Sequence, residues 1–218
     1  MRQCPFGARS LLIYRKVCQT FLPLSPMTQT QLQQQIGFLK ESFKNLRETG
    51  SITPSSRFLC RRIAAKIDPS EAKVVVELGP GDGVITRYIL DRLRPDARLI
   101  IFEINEVFVE KLQRDFEDPR LIVIHDSAEH MGRHFAALGI QKVDYFVSGI
   151  PFLMLPDSLA VSITSECRRW LRAAGRFIQF HYSPHMLGLY KRAFGNAQVD
   201  FAAWNVPPAF IIECVKKV

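Results

Sequence analysis

The chain has 218 residues, 47% hydrophobic and 23% charged, with a formal net charge of +8. That length holds one domain with a full core, and the composition is ordinary for a soluble globular protein. No apolar run reaches the ~20 residues of a spanning helix, while the positive balance favours an anionic partner, either nucleic acid or a membrane surface.

The first 26 residues are basic and lack Asp and Glu. Arg15, Lys16 and Gln19 interrupt their apolar pieces, so the continuous core of a secretory signal is missing. Three readings stay open for this extension: a transit-like or surface-binding arm, an unordered tail, or untranslated sequence ahead of a start at Met27. Within 27–50, residues 32–47 read as an amphipathic helix. Leu32, Ile36, Leu39, Phe43 and Leu46 recur at steps of four and three, with Lys40, Lys44 and Arg47 on the polar side. Such a helix packs on its own domain or lies in a membrane interface. The domain proper is expected over 51–218. It opens with a helix through Phe58, Leu59, Ile63, Ala64 and Ile67, capped by Ser55 or Ser56 and ended by Asp68 and Pro69.

From there strands alternate with helices. Val74–Leu78 is a short β-branched run suited to a buried parallel strand. A helix is predicted over 84–93, a strand over 99–102, a helix over 106–115 and strands over 121–124 and 143–147. A helix over 157–172, a strand over 175–180 and a last strand over 210–215 follow. The alternation predicts a Rossmann-like α/β fold, a parallel sheet with helices on both faces. The cysteines, Cys4, Cys18, Cys60, Cys167 and Cys214, are scattered without CxxC spacing. They suggest neither a metal site nor a disulfide framework, and fit a reducing, cytoplasmic setting.

Four strand ends carry the candidate chemistry. Glu77-Leu78-Gly79-Pro80-Gly81-Asp82-Gly83 follows the first strand and opens a helix. Gly79, Gly81 and Gly83 let the backbone turn sharply and approach a ligand. Glu103 ends the second strand about 20 residues on, where a carboxylate can accept hydrogen bonds from ribose hydroxyls; Ile104 follows it. The spacing Glu-x-Gly-x-Gly-x-Gly differs from the dinucleotide spacing Gly-x-Gly-x-x-Gly. An acidic residue before the turn suits a ligand bearing an ammonium and a sulfonium, and would repel a pyrophosphate. This favours S-adenosylmethionine over a nicotinamide cofactor. After the third strand, Asp126-Ser127-Ala128 offers either an acceptor for an adenine amino group or a helix cap. After the fourth, Ser148-Gly149-Ile150-Pro151-Phe152 is expected to face the transferred methyl group. Ser148 and nearby carbonyls would accept hydrogen bonds from an amine there, and Phe152 would offer an apolar wall or a ring face for a methylated cation.

Together these segments resemble the class I S-adenosylmethionine-dependent methyltransferases. The glycine turn and Asp126 are close to the rRNA adenine dimethylase branch. That branch typically carries Asn-Leu-Pro-Tyr where this chain has Ser148 to Phe152. A nearer resemblance, from about Leu32 onward, is to the bacterial phospholipid N-methyltransferases that act on phosphatidylethanolamine. It rests on Gly50–Arg57, the glycine turn, Ser148-Gly149-Ile150-Pro151, Phe177-Ile178-Gln179-Phe180-His181-Tyr182-Ser183-Pro184, and Asn205–Phe210. Ornithine-lipid N-methyltransferases share much of this pattern.

The resemblance implies a mostly parallel seven-stranded sheet, six strands of which are located above, and an N-terminal amphipathic helix that meets the membrane. It also implies methyl transfer to the amine of an aminolipid by a protein held peripherally at the inner face of an anionic membrane. The cofactor would be held by Glu77, Gly79, Gly81, Gly83, Glu103, Ile104, Asp126, Ser127, Ala128 and Ser148. The catalytic expectations are Ser148 and Tyr182 positioning the amine and His181 accepting a proton or meeting phosphate. Arg57, Arg61 and Arg62 could meet lipid phosphate. An RNA adenine N-methyltransferase is the alternative.

Overall fold

A computed structural model describes residues 56–205 and 207–217. The expected helix over 32–47 lies outside them. The described chain begins at Ser56, whose Oγ accepts a hydrogen bond from the Leu59 amide at 3.2 Å and caps helix α1 (Arg57–Ala65). That bond satisfies one of the donors a helix start leaves without a partner. Leu59, Cys60, Ile63 and Ala64 form the buried stripe of α1.

Strands and helices then alternate. Strand β1 (Val74–Leu78), helix α2 (Val84–Leu90), β2 (Arg98–Glu103), α3 (Glu106–Asp115), β3 (Leu121–His125) and α4 (Met131–Ala137) make the first half. The second half is β4 (Val143–Ser148), α5 (Asp157–Trp170), β5 (Leu171–His181), α6 (Leu187–Phe194), β6 (Gln198–Ala202) and β7 (Ala209–Val215). The seven strands form one sheet in the order β3-β2-β1-β4-β5-β7-β6. Only β7 runs against its neighbours β5 and β6.

Two apolar layers sandwich this sheet. On one face α1, α2 and α3 bring Leu59, Ile63, Ile85, Ile89 and Leu112 against Val75, Tyr145, Ile178 and Ile211. On the other, α4, α5 and α6 bring Phe135, Ile163, Tyr190 and Phe194 against Val76, Phe146, Phe177 and Ile212. Alternate residues of β1, β4 and β5 thus feed opposite layers, as a sheet covered on both sides requires. None of the described helices is long and apolar enough to cross a membrane.

The seven-stranded α/β expectation holds, and β6 is the strand that hydrophobic patterning does not reveal. Its burial is mostly exposed or intermediate, with only Ala202 buried. Helices α4 and α6 are likewise short additions to the predicted set. The helix expected over 157–172 stops at Trp170, and β5 starts four residues before Gly175 through an irregularity in its pairing with β4. Ala174 there adopts φ 60°, and Arg172 fixes the bend by binding Asp144 and Glu71, each at 2.7 Å.

The strand order reverses between β1 and β4, since β2 and β3 follow on one side and β5 on the other. In an open α/β sheet that reversal leaves a crevice beyond the carboxyl ends of the two strands. The glycine turn and the Ser148 turn flank it.

Candidate active site

The two turns touch backbone to backbone. The Gly149 amide donates to the Leu78 carbonyl at 2.8 Å. A Cβ on Gly149 would stand 2.7 Å from the Gly79 carbonyl oxygen, so this position requires glycine. Gly79, Gly81 and Gly83 have φ of 66°, 57° and 78°, the left-handed region that glycine enters freely. Their surroundings differ. A Cβ on Gly83 would meet Phe116 and Leu112 at 2.6 and 2.8 Å, whereas one on Gly81 would meet nothing within 4 Å. Gly83 is a packing glycine under α3, and Gly81 faces open space.

Three carboxylates gather at this turn. Glu103, 6% exposed, accepts from the Gly81 amide through Oε2 at 3.1 Å and from the Asn105 amide through Oε1 at 2.8 Å. The Ile104 amide also bonds this carboxylate, so backbone donors fix its orientation while leaving acceptor capacity for a hydroxyl donor. Glu77 is 1% exposed and accepts from the Thr86 hydroxyl at 2.6 Å. Burial pushes its carboxyl up to about 8; the Thr86 bond opposes this, and nearby Glu103 and Asp82 add to it. Burial also raises Glu103 above the ordinary carboxylate range. Such a site is short of positive charge, and a cationic ligand would stabilise it. The open face at Gly81, the spare acceptor capacity of Glu103 and this acidic surplus all fit S-adenosylmethionine, which carries a ribose diol, an ammonium and a sulfonium.

Beyond β3, Asp126 is heavily engaged. Oδ1 accepts from the Ser127 amide at 2.7 Å and lies 2.8 Å from His130 Nδ1; Oδ2 lies 2.6 Å from His134 Nε2 and binds Arg133. Burial would raise this carboxyl, but the His130, His134 and Arg133 bonds outweigh it and hold the group well below the usual carboxylate range. Asp126 is thus paired with three side chains and the adjacent amide, and caps neither the following turn nor α4. An adenine amino group would have to displace a partner, the most exposed being Arg133. Ser127 caps the following 3-10 turn (Ala128–His130), and Ala128 is buried in the core. Ile104 offers its carbonyl to His125 Nε2 at 3.3 Å.

The amine side departs further from expectation. Ser148 is fully buried, and its Oγ accepts from the Ile150 amide of its own turn at 3.2 Å. The Ile150 carbonyl is engaged by Gln179 Nε2 at 3.0 Å. Phe152 is 1% exposed and sits edge-on to Phe177 and Tyr190, so it is a core residue rather than a wall of the site. Leu153 and Met154 are the exposed apolar side chains of that turn. His181 is 7% exposed and shares a 2.6 Å hydrogen bond with the Tyr190 hydroxyl. Burial pulls its ring down to about 4, so it is neutral near pH 7 and a weak base. Contrary to the expectation from sequence, His181 is therefore a core side chain poorly suited to accept a proton or meet phosphate. Tyr182, the next residue, is 42% exposed.

β7 starts level with the end of β5, since Phe210 pairs with His181. The β6–β7 connection therefore lies at the same carboxyl edge as the site. Asn205, 2% exposed, ties this connection to α1: Oδ1 accepts from the Ser56 amide at 3.2 Å and Nδ2 donates to the Pro207 carbonyl at 2.7 Å. Trp204 beside it is 81% exposed and Phe201 50%. Arg62 stands over the Phe58 ring and donates to the Phe201 carbonyl, while Arg57 and Arg61 are exposed on the same helix. The sequence motifs did not single out Thr86, Asn105 or Gln179. Asn105 was legible as a cap before the α3 pattern, but Thr86 and Gln179 acquire meaning only from the strand register. Among the described residues, no cluster of three His, Cys, Asp or Glu side chains is placed to hold a metal ion.

Comparisons with known proteins agree with this geometry. The family model for ribosomal RNA adenine dimethylase matches residues 49–131, the glycine-turn half of the sheet. The ornithine lipid N-methyltransferase of Singulisphaera acidiphila is 32% identical over 179 residues, covering 81% of this chain and 93% of that relative. The ribosomal RNA small subunit methyltransferase A of Laribacter hongkongensis is 33% identical over 95 residues, covering 44% of this chain and 34% of that relative. Among solved structures, the Burkholderia thailandensis 1,6-didemethyltoxoflavin-N1-methyltransferase, with S-adenosylhomocysteine bound, matches at TM-score 0.60 and 14% identity. It covers 91% of this chain and 94% of that one. An rRNA methylase from Streptococcus thermophilus matches at TM-score 0.55 and 15% identity over 72% of this chain and 94% of that one.

The chain is a class I methyltransferase that uses S-adenosylmethionine. Its near-complete coverage of the Singulisphaera relative places it more narrowly: it belongs to the family of that N-methyltransferase.

Proposed function

We propose that the protein transfers methyl groups to the amine of an aminolipid, such as phosphatidylethanolamine or an ornithine lipid, while resting on an anionic membrane surface. The observation that carries this reading is the match to the ornithine lipid N-methyltransferase, which extends over 93% of that relative. The rRNA methyltransferase A match covers 34% of its relative, and the rRNA adenine dimethylase model matches residues 49–131, the cofactor half of the fold. That family-model match keeps RNA adenine methylation as the second reading.

In this proposal Glu103 accepts from the ribose hydroxyls, with Ile104 beside it. Glu77 and the backbone of Gly79, Gly81 and Gly83 face the charged end of the cofactor. Asp126, Ser127 and Ala128 border the adenine. S-Adenosylmethionine supplies an electrophilic methyl group on a good leaving group, so the chain's task is alignment and exclusion of water. An ammonium has no lone pair, so the amine enters the site deprotonated. The Ser148 turn bounds the space where it is held, and Tyr182 borders it from the end of β5. No buried general base is invoked, because His181 is a weak one.

The carboxyl edge supports a lipid surface as the partner. Trp204, Phe201 and Phe58 offer rings there beside Arg57 and Arg61. Aromatic rings with flanking cations favour the boundary between acyl chains and anionic head groups, at ~1 kcal/mol per cation near the surface. The helix expected over 32–47, and the inner-face location it implies, belong to the same proposal.

One assay separates the readings. Purified protein is incubated with methyl-labelled S-adenosylmethionine and, separately, with vesicles of phosphatidylethanolamine, vesicles of ornithine lipid, or RNA. Label in a lipid is expected. Label only in RNA would overturn the lipid reading, and no label anywhere would remove both substrates.

A further inference from the structure

Gln179 holds a buried acceptor that no group among the described residues uses. The residue is 1% exposed and pairs across the sheet with Ser148, the last residue of β4. Its Nε2 donates to the Ile150 carbonyl at 3.0 Å and to the Phe180 carbonyl at 2.8 Å. Both amide hydrogens are thereby spent, and the orientation of the amide is settled: a flipped group would set oxygen against two carbonyl oxygens. Oε1 is left with no hydrogen-bond partner. It is one of two such buried side-chain atoms among the described residues, the other being Glu129 Oε2 beyond β3. An acceptor left in this state costs ~1–3 kcal/mol, and native proteins keep few of them without a reason.

The location suggests the reason. Gln179 stands one strand from the Ser148 turn, which itself touches the glycine turn through Gly149. The other acceptors expected to meet an amine here are already engaged, Ser148 Oγ by the Ile150 amide and the Ile150 carbonyl by Gln179 itself. We infer that Gln179 Oε1 is the acceptor for the N–H of the substrate amine, and that its amide both braces the Ser148 turn and orients the nucleophile. The inference rests on the amine-methylation reading above. During transfer the nitrogen lone pair forms the new N–CH3 bond as the S–CH3 bond breaks and S-adenosylhomocysteine leaves; a primary or secondary amine then gives its surplus proton to water, whereas a dimethyl amine ends as a quaternary ammonium with none to lose. Gln179 takes no proton. It restricts rotation of the amine so that the lone pair, not an N–H, points along the line of transfer.

This role predicts a dependence on the number of N–H groups. A deprotonated primary amine carries two, a monomethyl amine one and a dimethyl amine none. Wild type, Gln179→Leu and Gln179→Met are assayed on vesicles of phosphatidylethanolamine and of its N-monomethyl and N,N-dimethyl forms, and on ornithine lipid. The S-adenosylmethionine Kd is measured alongside to verify the cofactor half. The variants should lose about tenfold in kcat/KM on unmethylated and monomethyl lipid, the size of one hydrogen bond. On the dimethyl form, where only the lost brace is felt, the loss should be several-fold smaller than on the other two.

Equal loss on all three forms would mean that Gln179 only braces the turn or binds a buried water, and overturns the inference. So would unchanged rates. If the wild type accepts only unmethylated lipid, a tenfold loss with unchanged cofactor Kd supports it, and a matching loss of cofactor affinity overturns it. Failure of the wild type to methylate any lipid overturns the aminolipid reading itself, and this inference with it.

Discussion

The two ends of the crevice are built from opposite chemistry. Around the glycine turn, Glu77, Asp82 and Glu103 bring three carboxyl groups together, with Glu77 and Glu103 buried and pinned by Thr86 and by backbone amides. At the β5–β7 edge the surface carries exposed rings and arginines: Trp204, Phe201, Phe58, Arg57 and Arg61. The first end is prepared for a small cation held in one pose. The second offers area and charge without a fixed pose, as a partner that is itself a fluid surface would need. The contrast predicts that substitutions at the two ends separate cleanly, one set changing cofactor affinity and the other changing attachment to lipid.

The largest effect is expected at Glu103. Replacing it with Ala removes the carboxylate proposed to accept from the ribose and leaves the Gly81 amide without its partner. Hydrogen bonds to a charged group at ~1.5–3 kcal/mol each, discounted for solvent, imply a loss on the order of 100-fold in S-adenosylmethionine affinity. Calorimetric titration measures it, and vesicle binding should be unchanged. Unaltered cofactor affinity would remove Glu103 from the ribose role.

Glu77 gives the next effect, and its sign follows from burial. Its carboxyl rises from 4.5 to about 8 in the folded protein. Between those values the folded state holds a proton that the unfolded chain has released. The contribution to stability is therefore complete below 4.5 and is lost as pH rises toward 8, at up to ~1.4 kcal/mol per unit. Cofactor binding should run the other way. A cation beside Glu77 favours the ionised form, so affinity should climb between pH 6 and 8, approaching tenfold per unit, with uptake of the cofactor releasing a proton. Glu77→Gln should flatten both the melting-temperature and the affinity profiles. A pH dependence that survives this substitution would assign it to another group.

These residues also mark how far the sequence carries. The glycine turn, Glu103 and the β-branched run before them were legible because a parallel strand needs apolar residues on both faces and its end needs glycine where φ is positive. Strands β1 to β4 and helices α2 and α3 follow for the same reason, to within a few residues at their ends, whereas the short helix α4 between them does not. What was not legible depends on register. The hydrogen bond of Gln179 to Ile150 spans 29 positions, and that of Thr86 to Glu77 exists only once the chain has turned. Phe152 and His181 read as site residues because they follow strand ends, yet the helices packed beneath β4 and β5 draw both into the core. Strand β6 lacked any signal, being a mostly exposed edge without the alternation that burial imposes.

A paired substitution sharpens the cofactor end further. Gly81 and Gly139 have similar left-handed φ, 57° and 65°, and a Cβ at either would meet nothing within 4 Å. Alanine should therefore cost each about the same backbone strain, ~1–2 kcal/mol. Only Gly81 lies on the proposed cofactor path. Gly81→Ala should weaken S-adenosylmethionine binding about tenfold more than Gly139→Ala, with matching shifts in melting temperature. Equal affinities would move the cofactor away from that face of the turn.

The smallest expected effect tests the other end of the crevice. Trp204 lies 81% exposed in the β6–β7 connection, beside the Asn205 tie that holds this edge to α1. In water such a ring gains little from the fold. At a lipid boundary it can bury part of its apolar surface at ~25 cal/mol per Å². Partial insertion of one ring among several contacts corresponds to about a fivefold change in vesicle affinity, less than full burial because the indole remains at head-group depth. Trp204→Ala should lower binding to anionic phosphatidylethanolamine vesicles by that amount in sedimentation, and leave the S-adenosylmethionine Kd and the melting temperature unchanged. Raising salt should weaken the remaining attachment, because the arginine contribution is screened while the aromatic one is not. If Trp204→Ala lowered cofactor affinity and left vesicle binding intact, the division between the two ends would fail, and the exposed ring would belong to the small-molecule site instead of the membrane.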